Sequence, residues 1–218
     1  MENNGVTDLF VGIINLKHRE DRRNESLTEL SSSSILVGND VFFDAVYVEN
    51  FGALGASISH ANVLAKYLST STAPYAMILE DDFEIADKEN FLLEIGAILE
   101  KDQCWDVFLL SHNLAVAIET TAISDCYRVV NSQTASGYIV KREFAPELIK
   151  VFFDSVVNLN KFSNYELDLR KQLSHFYCLD ILWKKLQTDN RFVAKIPALI
   201  KQRSSYSDIE KINVDYGV

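Results

Sequence analysis

Short apolar runs rich in β-branched residues alternate along this chain with stretches whose apolar positions recur every three to four residues. This is the pattern of strands alternating with helices. LFVGIINL, from Leu9 to Leu16, predicts a buried strand, and the charged KHREDRRNE after it opens a helix that ends near the four serines at 31 to 34. AVYV at 45 to 48 predicts a second strand. In GASISHANVLAKYLS the residues Leu54, Ile58, Ala61, Leu64, Ala65 and Leu68 fall on one helical face. YAMILED predicts a strand, and DKENFLLEIGAILEK a helix with Phe91, Leu92, Ile95, Ile98 and Leu99 on its apolar side. Strands are expected again at 105 to 111, 127 to 130 and 136 to 141. EFAPELIKVFF and LDILWKKLQ read as helices, RFVAKIPALI as a last extended segment, and SSSSI as a surface loop. The alternation implies an α/β sheet covered by helices on both faces, with ligands at the carboxyl ends of the strands.

Composition narrows this picture. At 218 residues, with 48% apolar and 24% charged residues, the chain has the make-up of a globular protein and the length of one domain, 1–218. A formal charge of −10 argues against nucleic acid or an anionic membrane as the main partner, because both are repelled at long range. Positive charge gathers locally, however: Lys184, Lys185, Arg191, Lys195, Lys201 and Arg203 face one acid, Asp189, which suits a phosphate-bearing ligand. Three cysteines without C-x-x-C spacing suggest neither a zinc site nor a disulfide framework, and a cytoplasmic setting is expected. The first residues lack the features of a signal peptide, and no apolar run reaches the roughly 18 residues of a membrane span. Any membrane association is expected to be peripheral, through the acceptor or another partner.

The concentrated chemistry lies in MILEDDFEI, where Glu80, Asp81 and Asp82 follow the apolar run of a strand. Three adjacent carboxylates repel one another unless positive charge sits between them. A hard divalent cation meets that need, since Mg²⁺ or Mn²⁺ takes oxygen ligands and bridges carboxylate to phosphate. A solvated strand end is the competing reading. Arg19, Arg22 and Arg23 just after the first strand, together with the basic stretch near the end, shift the balance toward a metal and a diphosphate.

At this point the chain resembles glycosyltransferase family 25, the lipooligosaccharide and procollagen galactosyltransferase group with a GT-A fold. The matching pieces are INLKHREDRR at 14 to 23, GALGASISHANVLAKYL at 52 to 68, MILEDDFEI at 77 to 85, WDVFLLS at 105 to 111, SGYIVKREFAPELI at 136 to 149 and IPALIKQRSSYSDIE at 196 to 210. They occur in the family's order and span nearly the whole chain. The resemblance implies inverting transfer of a hexose, most often galactose, from a UDP-sugar to a glycan or glycolipid acceptor, with Mn²⁺ or Mg²⁺ as cofactor. Lipopolysaccharide biosynthesis would be its setting.

The resemblance also implies roles for individual residues. Glu80-Asp81-Asp82 would stand in the place of the family's DxD-like motif, with Asp82 the favoured metal ligand. Glu80 or Asp81 would turn toward the ribose or a metal-bound water, and Glu80 is a second candidate ligand. Donor-binding candidates are Asn15 and Leu16 at the end of the first strand, one of Arg19, Arg22 and Arg23, then Ser59 and His60 of the SISH segment, and Lys201, Gln202 and Arg203. His60 lies about 100° from the centre of its helix's apolar stripe, so it is expected at the edge of the core. Ser136, Gly137, Ser207 and Asp208 are expected to contact acceptor or sugar, although close packing of two strands would also select small residues at 136 and 137.

Inversion requires a base to take the proton of the attacking hydroxyl. Asp180 is the candidate, and an N-cap role fits it equally. Asp106 is a second acid whose position at a strand start points to structure. Phe51-Gly52-Ala53-Leu54 departs from the family's Pro-Gly-Glu lead-in, and Ala56 replaces a cysteine common there, which touches the acceptor side more than donor binding. Two further readings stay open: an inactive nucleotide-sugar or metal-binding module, and a transferase whose acceptor is a protein side chain or a nucleobase.

Overall fold

The computed structural model describes residues 9–35 and 37–203, and the backbone of 205–207 and 212–214. The chain opens with strand β1 (Leu9–Asn15), helix α1 (Glu20–Ser32), strand β2 (Phe42–Asp44) and helix α2 (Gly52–Thr70). Strands β3 (Tyr75–Glu80) and β4 (Phe83–Ile85), helix α3 (Phe91–Glu100), and strands β5 (Val107–Leu109), β6 (Val116–Thr120), β7 (Cys126–Val130) and β8 (Gly137–Lys141) follow. Helices α4 (Ala145–Asn160), α5 (Leu167–Tyr177), α6 (Leu179–Leu182) and α7 (Lys184–Gln187) lead to β9 (Phe192–Lys195) and β10 (Ile200–Gln202). The hairpin β11 (Ser205–Ser207) and β12 (Ile212–Val214) ends the described chain.

An eight-stranded sheet in the order β2-β1-β3-β8-β5-β9-β7-β6 forms the centre. Only β7 and β8 run against the other six strands, so the sheet is mixed and mostly parallel in direction. Alternate side chains divide cleanly between its two faces, as strand geometry requires. Ile14, Ala76, Ile78, Val107, Leu109, Tyr138 and Val140 pack under α2, α4 and α6. Ile13, Met77, Leu79, Phe108, Leu110 and Ile139 pack under α1 and α3. The expected α/β sheet with helices on both faces is therefore present.

Several local expectations are corrected. AVYV at 45 to 48 is not a strand: β2 lies three residues earlier, and its register ends at Asn15↔Asp44. Beyond Asn15 the first strand turns toward α1, so residues 46 to 48 have no sheet partner and their β-propensity goes unused. Ser33 and Ile35 of the supposed surface loop are buried, whereas Ser34, at φ 63°, is exposed. Trp183, buried with its indole N–H donated to Ser132 O at 3.0 Å, divides the single helix expected over LDILWKKLQ into α6 and α7. The α2 stripe is also rotated. Ala65 is exposed, while Ser57, Ser59, His60 and Tyr67 are buried. Because α2 packs against both the sheet and α4, its buried arc is wider than its apolar stripe. The hydroxyls inside that arc are satisfied locally, as by Ser57 Oγ and Ser155 Oγ at 2.8 Å.

Asp106 has the structural role that its position suggested. Its carboxylate accepts hydrogen bonds from Arg191 Nη2 at 2.5 Å and Arg191 N at 2.9 Å. Burial raises this carboxyl, but the Arg191 hydrogen bonds more than offset it, and it titrates below its ordinary value. A depressed folded-state pKa contributes stability above the unfolded value of about 3.9 and loses it as pH falls through the folded value. The stability difference between the wild type and Arg191→Ala is therefore expected to be full at pH 7 and to shrink below about pH 4. Urea unfolding at pH 7, 4 and 3 measures it.

Candidate functional site

A cleft opens at the carboxyl ends of β1 and β3, where parallel neighbours of an α/β sheet hold ligands. Its polar wall consists of Arg22, His60, Glu80, Asp81, Asp82 and Gln202. Its apolar wall is Ile14, Leu16, Ala45, Val46, Tyr47, Val48 and Ala56, with Asn50, Gly52 and Ser59 at the join.

The acids emerge here because the chain changes sheets. Residues 76 to 79 of β3 are buried, and Glu80 is the strand's last residue. Phe83 and Ile85 are then drawn into the core beneath α1 and α3, while β4 pairs antiparallel with β10. Glu80-Asp81-Asp82 is the connection between two anchored ladders, so its backbone is held at both ends. Glu80 N donates to Ser136 O at 2.8 Å, and Arg203 N donates to Asp82 O at 2.7 Å.

Each carboxylate has a different environment. Asp81, buried at 6% exposure, accepts from Asn15 Nδ2 at 2.8 Å and Arg22 Nη1 at 2.6 Å. Burial raises its pKa in spite of those partners. Asp82 lies 3.4 Å from the same guanidinium and 3.4 Å from Gln202 Nε2. Burial first, and then the Glu80 carboxylate, push Asp82 up to about 7 against the pull of Arg22. Glu80 meets His60 Nε2 at 3.3 Å and Gln202 Nε2 at 3.3 Å. Arg22 is thus the cation that the three acids required, and its shortest contact among them is to Asp81. Glu80 and Asp82 face one another across a neutral amide.

That donor set fits a hard dication: two carboxylates, Glu80 and Asp82, lie at 3.3 and 3.4 Å from the same amide nitrogen of Gln202. Among the described residues no group of three or more His, Cys, Asp or Glu forms a metal cage. Mg²⁺-type sites built from one or two carboxylates complete their shell with substrate phosphate and water.

Of the residues that the sequence singled out, Leu16, Arg22, Ser59, His60, Glu80, Asp81, Asp82 and Gln202 line the cleft, and Asn15 braces Asp81 from behind. His60 is not at the core edge as expected but 1% exposed, because α2 turns it inward onto Tyr138. The remaining candidates are engaged elsewhere. Arg19 pairs with Asp21, and Arg23 lies 4.7 Å from the centre of the Phe42 ring. Strand alternation sends Lys201 to Glu84 at 3.2 Å and Arg203 to Glu25, away from the side that carries Gln202.

Of the residues expected to contact acceptor or sugar, Ser136 Oγ meets Ser111 Oγ at 2.6 Å, both buried. Gly137 leaves room for Ile200, which a Cβ at that position would strike. Asp180 is not the expected N-cap, since it is the second residue of α6 and Cys178 holds the cap position, and it is not among the residues lining the cleft; its Oδ2 accepts from Thr134 N at 3.1 Å, fixing the turn before β8. Thr134 has a φ of 75°, an uncommon conformation for a β-branched residue. The Ser207 side chain and Asp208 lie outside the described residues.

The wall from Ala45 to Asn50 was missed as part of the site. It is pinned to α2 by Val46 N donating to Ser59 Oγ at 2.8 Å, and it crosses α2 where Gly55 has no side chain. A glycine inside a helical pattern hints at a packing reason, and Gly55 in GALGAS carried that hint, although Gly96 in α3 has open space around it. A Cβ at Gly55 would fall inside contact distance of Val46 O, a backbone atom that cannot swing away. Gly55→Ala is therefore expected to displace this wall and to cost on the order of 1–3 kcal/mol of stability. Thermal and urea unfolding would read the loss.

No family model matches the sequence, and no curated protein matches it. Among solved structures the fold is similar to that of mannose-1-phosphate geranyltransferase from Thermus thermophilus, at 10% identity and a TM-score of 0.46, over 86% of this chain and 73% of that one. It is also similar to a glycosyltransferase involved in the glycosylation of the major capsid of PBCV-1, at 10% identity and a TM-score of 0.47, over 93% of this chain and 96% of that one. At this level neither likeness assigns chemistry to the cleft, which has to be argued from its side chains.

Proposed function

We propose that the protein is a GT-A type, inverting, metal-dependent glycosyltransferase that moves a hexose, galactose first, from a UDP-sugar to a glycan or glycolipid acceptor. One observation carries the reading: Glu80 and Asp82 converge at the carboxyl end of β3 while Asp81 is neutralised by Arg22, beside an apolar wall suited to a nucleoside. The segments that resemble family 25 point the same way, although they include these cleft residues and no family model matches the chain.

In this reading Asp82 and Glu80 would hold Mn²⁺ or Mg²⁺, with Gln202 steadying both, and the bound dication would supply Lewis-acid neutralisation of the leaving diphosphate. Leu16 and the Ala45–Val48 wall take the base, and Asn15 and Arg22 keep Asp81 fixed behind the reacting phosphates. The acceptor hydroxyl oxygen bonds to the anomeric carbon as the bond from that carbon to the diphosphate oxygen breaks. The hydroxyl proton passes to a carboxylate oxygen of Asp180, whose other oxygen stays with Thr134 N.

Release of UDP from a panel of UDP-sugars, with Mn²⁺ or with chelator, tests the proposal. Metal-dependent turnover with at least one sugar supports it, and tight donor binding without turnover on any acceptor identifies a binding module instead. Asp180→Asn keeps an oxygen for Thr134 N but removes the base. It is expected to lower kcat about 100-fold or more with the fold unchanged. A wild-type kcat in that variant would leave Asp180 as the acceptor that fixes the Thr134 turn and nothing more.

A further inference from the structure

His60 reaches the polar wall of the cleft from a nearly closed position, and Tyr138 lies behind it in the core. His60 is 1% exposed and Tyr138 0%. Their rings stack at 5.8 Å and 22°, Phe152 meets the imidazole edge-on at 5.8 Å, and Trp183 meets Tyr138 edge-on at 5.8 Å. Within this packing, Nε2 points to Glu80 Oε1 at 3.3 Å and Nδ1 to the Tyr138 hydroxyl at 3.2 Å.

The donor count then selects one arrangement of hydrogens. A carboxylate oxygen only accepts, so Nε2 carries the hydrogen and donates it to Glu80. Nδ1 keeps its lone pair and accepts from the Tyr138 O–H, for which His60 is the partner found among the described residues. With the hydrogen on Nδ1 instead, that nitrogen would face the hydroxyl as a donor, Nε2 would present a lone pair to a carboxylate, and the buried Tyr138 hydrogen would lose its acceptor. Leaving a buried polar group unmatched costs about 1–3 kcal/mol.

We propose that His60 and Tyr138 are a buried positioning pair that fixes Glu80 in the cleft, with His60 held as the Nε2–H tautomer by the Tyr138 hydroxyl. The role in donor binding rests on the glycosyltransferase reading; the tautomer does not. The two acids of the cleft thereby differ. Both are held at the backbone, Glu80 by Ser136 O and Asp82 by Arg203 N, and both side chains meet Gln202 Nε2; what sets them apart is the second partner, a fixed imidazole for Glu80 and the guanidinium that Asp82 shares with Asp81. Removing a group that orients a ligating side chain typically costs about 10–100-fold in affinity or activity.

The test has two arms. Nitrogen-15 NMR of the imidazole in the ligand-free protein is expected to show the Nε2–H form for His60; an Nδ1–H form overturns the proposal, whatever the protein's activity. In the second arm, Gln places its amide nitrogen near the position of Nε2 and Asn places its amide near that of Nδ1. His60→Gln should therefore keep binding of UDP with Mn²⁺ within about 3-fold, whereas His60→Asn should lose about 10-fold or more at similar thermal stability. Equal loss in both variants, or none in His60→Asn, overturns the positioning role. Failure of the wild type to bind UDP with Mn²⁺ would instead remove the transferase reading, and the NMR arm would still decide the tautomer.

Discussion

Asp82→Ala is expected to lower metal-dependent release of UDP at least about 100-fold while leaving the fold intact and the melting temperature unchanged or higher. The two halves of this result share one cause. Among the described residues, Arg22 is the guanidinium within reach of Asp81 and Asp82, and it lies closest to Asp81, at 2.6 Å. Asp82 lies farther from it, at 3.4 Å, and is crowded by Glu80, so its negative charge is a strain on the free protein. Removing it relieves repulsion and deletes no short hydrogen bond, since the Gln202 contact is also 3.4 Å. The backbone bond from Arg203 N to Asp82 O does not depend on the side chain. On the proposed reading, activity is lost because the Asp82 carboxylate, which shares Arg22 with Asp81, is what attracts the dication. Circular dichroism, thermal unfolding and a UDP-release assay on one preparation would check the prediction. Wild-type turnover in the variant removes the metal assignment, and a large loss of stability removes the charge argument.

Arg22→Met is expected to have the opposite signature, a loss of about 3–5 kcal/mol of stability and a fall in Tm on the order of 10 °C. Arg22 and Asp81 are both buried, and breaking such a pair from one side leaves an uncompensated charge in the interior. Here the loss is compounded, because Asp82 and Glu80 lie beside the orphaned Asp81. Replacing both partners, as Arg22→Met with Asp81→Leu, should recover much of the stability, since a buried ion pair is often no better than apolar residues of similar volume. The coupling between the two substitutions, read from urea unfolding of the four proteins, separates a true pair from two independent contributions. Additivity within about 0.5 kcal/mol would contradict the pairing.

Much of the fold was legible along the chain. The strands of LFVGIINL, YAMILED and SGYIVK and the helices of GASISHANVLAKYLS and DKENFLLEIGAILEK form where expected, because long apolar periodicity survives tertiary context. The elements that were missed carry weak local signals. β4 and β10 have three residues each, every residue of β6 is exposed, and α5 buries none of its residues, so none presents a strong apolar pattern. At the site, the acidic run and Arg22 were legible by type. The partners of Lys201 and Arg203 were not, because the alternation that directs them away from Gln202 depends on β10 pairing with β4.

The amino-acid sequence by itself determined an alternating α/β chain, the crowding of Glu80, Asp81 and Asp82 at a strand end, and the need for positive charge among them. Only the tertiary structure decided how that need is met: Arg22 pairs with Asp81, and Glu80 and Asp82 remain facing each other. It also turned His60 inward and built a cleft wall from AVYV. The physical reason is that charge type and periodicity are local properties of a chain, whereas burial and pairing depend on residues far apart in sequence. Arg22 and Asp81 are 59 positions apart, and His60 and Tyr138 are 78.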